Sequence, residues 1–166
     1  LAIRGLEFDH LLSLIWPDLL HWPQETYYGG RIDSPRPSWA SLLLLDDTRI
    51  RRGDTVAVIG LGPIGLMFVR LAKIAGARVI AVGRRQMQLD RAEHLGAEVL
   101  IESRRSSDPS DEVRRHTEGG RGSDIVIEAV GSPHAWRQAV NIVRIGGVVN
   151  FFGGCPKETT ICLDTG

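Results

Sequence analysis

The chain has 166 residues, 43% of them hydrophobic, which is enough for one buried core and cramped for two independent domains. Twenty basic residues balance twenty acidic ones, so no global field points to nucleic acid or to an anionic membrane surface, and partners must be argued from local sites. The two cysteines, Cys155 and Cys162, make neither a disulfide framework nor a zinc spacing, apolar stretches such as Leu42–Leu45 fall far short of a membrane span, and Asp9 and His10 interrupt any signal-peptide reading. The expectation is a soluble, cytoplasmic protein, and an opening Leu in place of Met reads as a processed, excised or truncated chain.

Residues 1–50 differ in texture from the rest, holding Trp16, Trp22 and Trp39 together with Pro17, Pro23, Pro35 and Pro37. A short helix is expected over Arg4–Ile15, stopped by Pro17, which disfavours helix in the residue before it and cannot continue the ladder. A second is expected from Ser38 to Asp46, with Ser38 as its cap. No function is assigned to this segment. From residue 51 onward the pattern becomes regular, and residues 51–166 form a second unit.

That unit reads as strand Thr55–Ile59, helix Ile64–Ala75, strand Arg78–Val82, helix Gln86–Leu95 and strand Glu98–Ile101, with Gly76 and Gly96 as left-handed stops. A polar loop, Ser103–Ser110, precedes a helix from Ser110 to Thr117. Strand Asp124–Val130, helix Pro133–Arg144, strand Val148–Phe152 and a short strand at Thr160–Leu163 complete the series. Apolar runs such as Val56–Ile59 and Ile125–Ile127 suit parallel strands covered on both faces, so the fold class is α/β, an open, doubly wound parallel sheet. Ligands of such sheets sit outside the carboxyl ends of the strands, where strand order reverses. The tips to watch are therefore Gly60–Gly65, Gly83–Arg85, Val130–Ser132 and Phe152–Gly154.

The first of these tips carries Gly60-Leu61-Gly62-Pro63-Ile64-Gly65 between a strand and a helix. Gly60 permits the sharp turn, Gly62 leaves room for a pyrophosphate to approach the backbone, and Gly65 lets the helix pack close to the strand. N–H groups at the helix start favour an anion. A lone Gly-x-Gly-x-x-Gly also occurs as a merely structural turn; the strand before it, the helix after it and the second strand supply the βαβ context of a dinucleotide site.

An NAD site usually ends its second strand with an Asp or Glu that accepts hydrogen bonds from the adenosine ribose. Here that place reads Gly83-Arg84-Arg85. Without the carboxylate a ribose 2′-phosphate meets no like charge, and two guanidiniums can bind it with charge-assisted hydrogen bonds, so NADP(H) is expected in preference to NAD(H). The alternative is that Arg84 and Arg85 are solvated loop residues.

These residues resemble a known family. Arg52–Gly166 is similar to the cofactor-binding Rossmann domain of the medium-chain dehydrogenase/reductase superfamily, in its zinc-type alcohol, polyol and threonine dehydrogenase branch. The resemblance is carried by the Gly60–Gly65 turn with Gly53, Asp54, Val56 and Val58 before it, by Leu71-Ala72-Lys73 and Ala75-Gly76-Ala77, by Leu95-Gly96-Ala97, by Gly122, Asp124, Val126, Glu128, Val130 and Gly131, and by Gly146-Gly147. It implies a pyrophosphate over Leu61, Gly62, Pro63 and Ile64, an adenosine ribose near Gly83, Arg84 and Arg85, and a nicotinamide running past Val130, Gly131 and Ser132 to Phe152, Gly153 and Gly154. It also implies an oxidoreductase moving hydride to or from an alcohol or carbonyl, with zinc held only by a catalytic domain that precedes the cofactor domain. This chain has no Gly-His-Glu zinc motif and no cysteine before Cys155, so residues 1–50 read as an incomplete remnant of that domain. Edge strands near the same place pair across dimers in this superfamily, which makes Thr160–Leu163 a homodimer candidate.

No catalytic residue and no metal ligand is assigned. His94 and His134 read as solvent-facing helix-end residues, Glu128 as a buried structural acid and Cys155 as an inert thiol; the pairs Arg51-Arg52, Arg104-Arg105 and Arg114-Arg115 alternate with acids and read as solvated faces. Two other functions remain open beside the oxidoreductase: a stand-alone NADP(H)-binding module, and a catalytically inactive, degenerate product.

Overall fold

In the computed structural model the described residues are 49–106 and 108–162. The expected helices at 4–15 and 38–46 lie outside them. Among the described residues five strands and four α-helices alternate: β1 (Thr55–Ile59), α1 (Pro63–Ile74), β2 (Arg78–Gly83), α2 (Gln86–His94), β3 (Val99–Glu102), α3 (Pro109–Arg115), β4 (Ser123–Glu128), α4 (Pro133–Ile142) and β5 (Val143–Phe151). The strands form one sheet in the order β3-β2-β1-β4-β5, every neighbouring pair parallel. From β1 the chain winds outward to β3, then returns to place β4 on the other side of β1. The reversal therefore falls between β1 and β4.

Strand alternation divides the core in two. Val56, Val58, Val79, Ala81, Ile125 and Ile127 face α1 and α2, where they meet Leu66, Phe68, Val69, Leu71 and Leu89. The intervening Ala57, Ile59, Ile80, Val82 and Val126 face α3 and α4, meeting Val113, Ala135, Ala139 and Ile142. A strand covered on both faces favours apolar residues throughout, which is why the centres of β1 (Val56–Ile59) and β4 (Ile125–Ile127) read as continuous apolar runs. Phe68 and Leu66 are fully buried, and each such side chain contributes about 1.5–3 kcal/mol relative to exposure.

Several element ends differ from the sequence expectation, each for a definable reason. The helix expected to run to Arg144 stops at Ile142, because Val143 turns extended (φ −68°, ψ 142°) and pairs with Ser123. Arg144 then donates from Nε to Asp124 Oδ1 at 2.6 Å. The strand expected at Val148 thus begins earlier, but its register with β4 jumps from Ser123↔Val143 to Ile125↔Val148, leaving Ile145 fully exposed between. The strand expected to reach Val130 ends at Glu128. The strand expected over Glu98–Ile101 runs from Val99 to Glu102, because the Glu98 carboxylate is taken up by the Val79 N–H at 2.6 Å and by Lys73.

The short strand expected at Thr160–Leu163 does not form over 160–162; Leu163 lies outside the described residues. A turn precedes this stretch, with Thr159 N–H donating to Pro156 O at 3.2 Å and Glu158 in the left-handed region at φ +63°. Among the described residues the edge of the sheet on that side is β5, not a sixth strand. No helix among the described residues is long and apolar enough to cross a membrane.

Candidate functional site

All four tips singled out from the sequence come together at the carboxyl edge of the sheet: Gly60–Gly65 follows β1, Gly83–Arg85 closes β2, Val130–Ser132 follows β4 and Phe152–Gly154 follows β5. The tips after β1 and β4 flank the point where strand order reverses.

The turn after β1 is built by close approach. Gly60 takes φ +92°, and a Cβ there would stand 2.5 Å from Val130 Cγ2. A Cβ on Gly65 would stand 1.8 Å from Gly60 O, so helix α1 rests directly on the end of β1. Gly62, by contrast, would present its Cβ to open space, with nothing within 4 Å. Gly62 is also the N-cap of α1 and Pro63 its first residue, which leaves N-terminal amides of a 12-residue helix directed past Gly62. Leu61 is buried, whereas Ile64 is exposed. Leu61 therefore offers the turn its backbone, while its side chain fills the core.

At the end of β2, Gly83 is buried, and its carbonyl accepts from Ser103 N–H at 2.8 Å and Ser103 Oγ at 3.2 Å. A Cβ at Gly83 would stand 2.6 Å from Leu61 Cδ1. Arg84 and Arg85 are exposed, and neither guanidinium has an ion-pair partner among the described residues. An open depression of about 340 Å³ begins at Gln86, directly after them, and is lined also by Glu102, Arg105, Ser106 and Glu112.

The tips after β4 and β5 touch backbone to backbone. A Cβ on Gly153 would stand 2.2 Å from Gly131 N, and one on Gly131 would stand 2.6 Å from Gly154 O. Gly153 N–H donates to Glu128 O at 2.9 Å, and the Trp136 indole N–H donates to Gly153 O at 2.9 Å. Trp136 packs on Phe151 with ring centroids 4.6 Å apart, and Phe152 meets Phe68 edge-on at 5.3 Å. Ser132 caps α4, its Oγ accepting from Ala135 N–H at 3.2 Å, while Val130 is 48% exposed and offers the edge an apolar surface.

Glu128 is fully buried at the end of β4. Its Oε1 accepts from Val130 N–H at 2.7 Å and Gly131 N–H at 2.8 Å, while Oε2 is buried with no hydrogen-bond partner. Burial pushes its carboxyl above the ordinary carboxylate value, against the lowering effect of the Gly131 and Val130 N–H groups and of Trp136. Cys155, partly buried nearby, is pushed up by burial and by the Glu128 charge, which disfavours the reactive thiolate. His94 and His134 are exposed.

Asp124 lies at the opposite end of β4. Its Oδ2 accepts from Thr55 N–H at 2.8 Å, and Arg144 and Arg121 donate to Oδ1 at 2.6 and 3.1 Å. Burial pushes this carboxyl up, but the Thr55 N–H, the Arg144 bond and the two guanidinium charges outweigh it and hold it below its ordinary value. It staples β1, β4 and β5 at the edge remote from the tips. Sequence reasoning missed both this staple and Trp136; the acids stood out in apolar strands, but partners far along the chain left no local signal. Among the described residues no three His, Cys, Asp or Glu side chains converge as a metal site.

The comparison with known proteins bears on the same region. Residues 63–165 match the family described as zinc-binding dehydrogenase. An alcohol dehydrogenase of Cupriavidus necator is 38% identical over 119 residues, which are 71% of this chain and 32% of that protein. An NADP-dependent isopropanol dehydrogenase of Thermoanaerobacter brockii is 36% identical over 140 residues, 82% of this chain and 39% of that protein. A structure of a zinc-binding dehydrogenase from Sinorhizobium meliloti 1021 bound to NADP superimposes with a TM-score of 0.67 at 30% identity, covering 75% of this chain and 36% of that one. The chain thus spans about a third of the length of the relatives it matches. With the family match running from the first residue of α1 past β5 and the five-stranded frame shared, the chain belongs to the zinc-binding dehydrogenases of the medium-chain dehydrogenase/reductase superfamily and carries their Rossmann fold.

Proposed function

We propose that this chain holds and orients NADP(H), in preference to NAD(H), as the nucleotide-binding part of an alcohol dehydrogenase-like oxidoreductase. The observation that carries the preference is the end of β2, where buried Gly83 is followed by two exposed guanidiniums, Arg84 and Arg85, without ion-pair partners among the described residues. A carboxylate there would repel a 2′-phosphate; two guanidiniums receive it with paired, charge-assisted bonds. The similarity to the NADP-dependent isopropanol dehydrogenase of T. brockii and to the S. meliloti structure bound to NADP supports the same cofactor.

The fit of the dinucleotide to this chain is supported by the open space at Gly62. In this reading the backbone of Leu61, Gly62 and Ile64, with Pro63 setting the helix start, takes the pyrophosphate, because N-terminal helix amides favour an anion. Gly83, Arg84 and Arg85 take the adenosine ribose and its phosphate. Val130, Gly131, Ser132, Phe152, Gly153 and Gly154 line the path of the nicotinamide. When bound, that ring is the group that accepts or gives a hydride. This chain's residues bind the anion, orient the ring against Val130 and exclude water with Phe152; no step through zinc is assigned to them.

The test is a calorimetric titration of the full chain with NADPH and NADH, repeated on Arg84→Asp. NADPH is expected to bind about 10–100-fold more tightly, as one or two charge-assisted bonds allow, and Arg84→Asp to abolish or reverse that order. Equal affinity for the two nucleotides, or an unchanged ratio in the variant, would overturn the preference, and binding of neither would overturn the cofactor role.

A further inference from the structure

Glu128 has no part in the cofactor contacts just given, yet it is the costliest residue to bury at this edge. A fully buried carboxyl in a strand whose neighbours are Val126 and Ile127 gives up its hydration and is retained only where its bonds compensate. Its geometrically defined bonds run to the two tips on the nicotinamide side: side-chain Oε1 accepts from Val130 N–H and Gly131 N–H, and main-chain O from Gly153 N–H. Val130 and Gly131 lie where β4 has ended and the sheet no longer takes their amides. The second oxygen, Oε2, lies against Gly153, where a Cβ would come within 2.8 Å of it. The carboxyl is thus enclosed between turns 129–131 and 152–154, which meet at Gly131 and Gly153.

We propose that Glu128 is a positioning residue, whose carboxyl fixes these two turns against each other and so sets the surface on which the nicotinamide end of the dinucleotide rests. The inference depends on the dinucleotide reading above. An apolar residue at 128 would leave the Val130 and Gly131 amides unpaired at a partly buried turn, and both tips would relax together. The adenosine half of the site, at Gly83–Arg85 beyond β1, is separated from Glu128 by a full strand and has no bond to it. Loss of the carboxyl therefore acts on one end of the ligand only.

The experiment compares Glu128→Ala and Glu128→Gln with the unaltered full chain in two measurements. In amide hydrogen exchange followed by NMR, Glu128→Ala is expected to speed exchange at Val130 and Gly131 about tenfold or more, leaving Val58 unchanged, while Glu128→Gln, which keeps an acceptor oxygen at the same reach, stays near the unaltered chain. In titrations, NADPH is set against adenosine 2′,5′-bisphosphate, which has the adenosine and both phosphates but no nicotinamide. Glu128→Ala is expected to weaken NADPH about tenfold, with the bisphosphate held within about twofold and Glu128→Gln restoring NADPH. Should Glu128→Ala fail to fold, Glu128→Asp, one methylene short of the two amides, takes its place with the same expectation. Equal weakening of both ligands marks a general structural role and overturns the proposal, as does unchanged exchange at Val130 and Gly131. If the unaltered chain binds neither ligand, the dinucleotide reading falls and this role with it; if it binds both and the ratio does not move, this role alone falls.

Discussion

Replacing Gly65 by Ala tests the architecture of the glycine turn most directly. The added Cβ would stand 1.8 Å from Gly60 O, where an unstrained carbon–oxygen contact needs about 3.3 Å, so α1 must retreat from β1 by about 1.5 Å. Helix α1 carries Leu66, Phe68, Val69 and Leu71 into the core, and overpacking of this kind costs about 1–3 kcal/mol before their lost contacts are added. A loss of about 2–3 kcal/mol corresponds to a fall in Tm of very roughly 10 °C for a domain of this size. The control is Gly62→Ala, whose Cβ meets nothing within 4 Å and whose φ of −69° suits any residue. It should cost no more than about 0.5–1 kcal/mol through the weaker N-cap, yet it places a methyl where the pyrophosphate is proposed to lie. Urea unfolding and NADPH titration of both variants give four numbers: Gly65→Ala is expected to lose stability and binding together, Gly62→Ala binding alone. Near-normal stability of Gly65→Ala would refute the close approach of α1 to β1, and undiminished NADPH affinity in Gly62→Ala would refute the placement of the pyrophosphate.

Asp124→Asn should cost about 1–3 kcal/mol at pH 7, because the Thr55, Arg121 and Arg144 donors lose a charged acceptor; Asp124 is held below its ordinary value of 3.8, so its contribution is present above that pH and lost as pH falls through the depressed value, and urea unfolding at pH 7 and pH 3 should show the gap between variant and unaltered chain closing. Glu128 has the opposite sign: its carboxyl is raised above 4.5, so the stability it contributes is full below that pH and is lost as pH rises through the raised value, and Glu128→Gln should gain on the unaltered chain between pH 4.5 and pH 7 in the same assay. Trp136→Phe keeps the stacking on Phe151 but removes the bond to Gly153 O, and should cost about 1 kcal/mol in thermal unfolding while raising amide exchange at Gly153 and Gly154.

The sheet and its carboxyl-edge tips were legible because doubly covered strands leave a local mark: Val56–Ile59 and Ile125–Ile127 are unbroken apolar runs, and Gly76 and Gly96 close the helices between strands. Element ends were less legible because long-range partners decide them. Val143 would have continued α4 on pattern alone, but pairing with Ser123 draws it into β5; the short strand expected at Thr160–Leu163 does not form over 160–162, which follow the turn at 156–159. In the glycine turn the left-handed turn at Gly60 and the close approach of Gly65 to Gly60 O were readable because they lie within six residues of each other, whereas the Val130 side chain that closes on Gly60 is far along the chain and left no local signal. Glu128 was visible as an anomaly without a purpose, because Gly153, which its main-chain carbonyl engages, is 25 positions away.

The division of the core between alternate residues of β1 bears on which changes of length the chain can absorb. Removing one residue inside Thr55–Ile59 would turn Val56 and Val58 toward α3 and α4 and send Ala57 and Ile59 toward α1, exchanging the contents of two compartments whose walls have different shapes. Each side chain would still be apolar, and each would be in the wrong room. The polar stretch after β3, by contrast, packs into neither compartment, so a residue added or removed there is expected to cost far less than one inside β1.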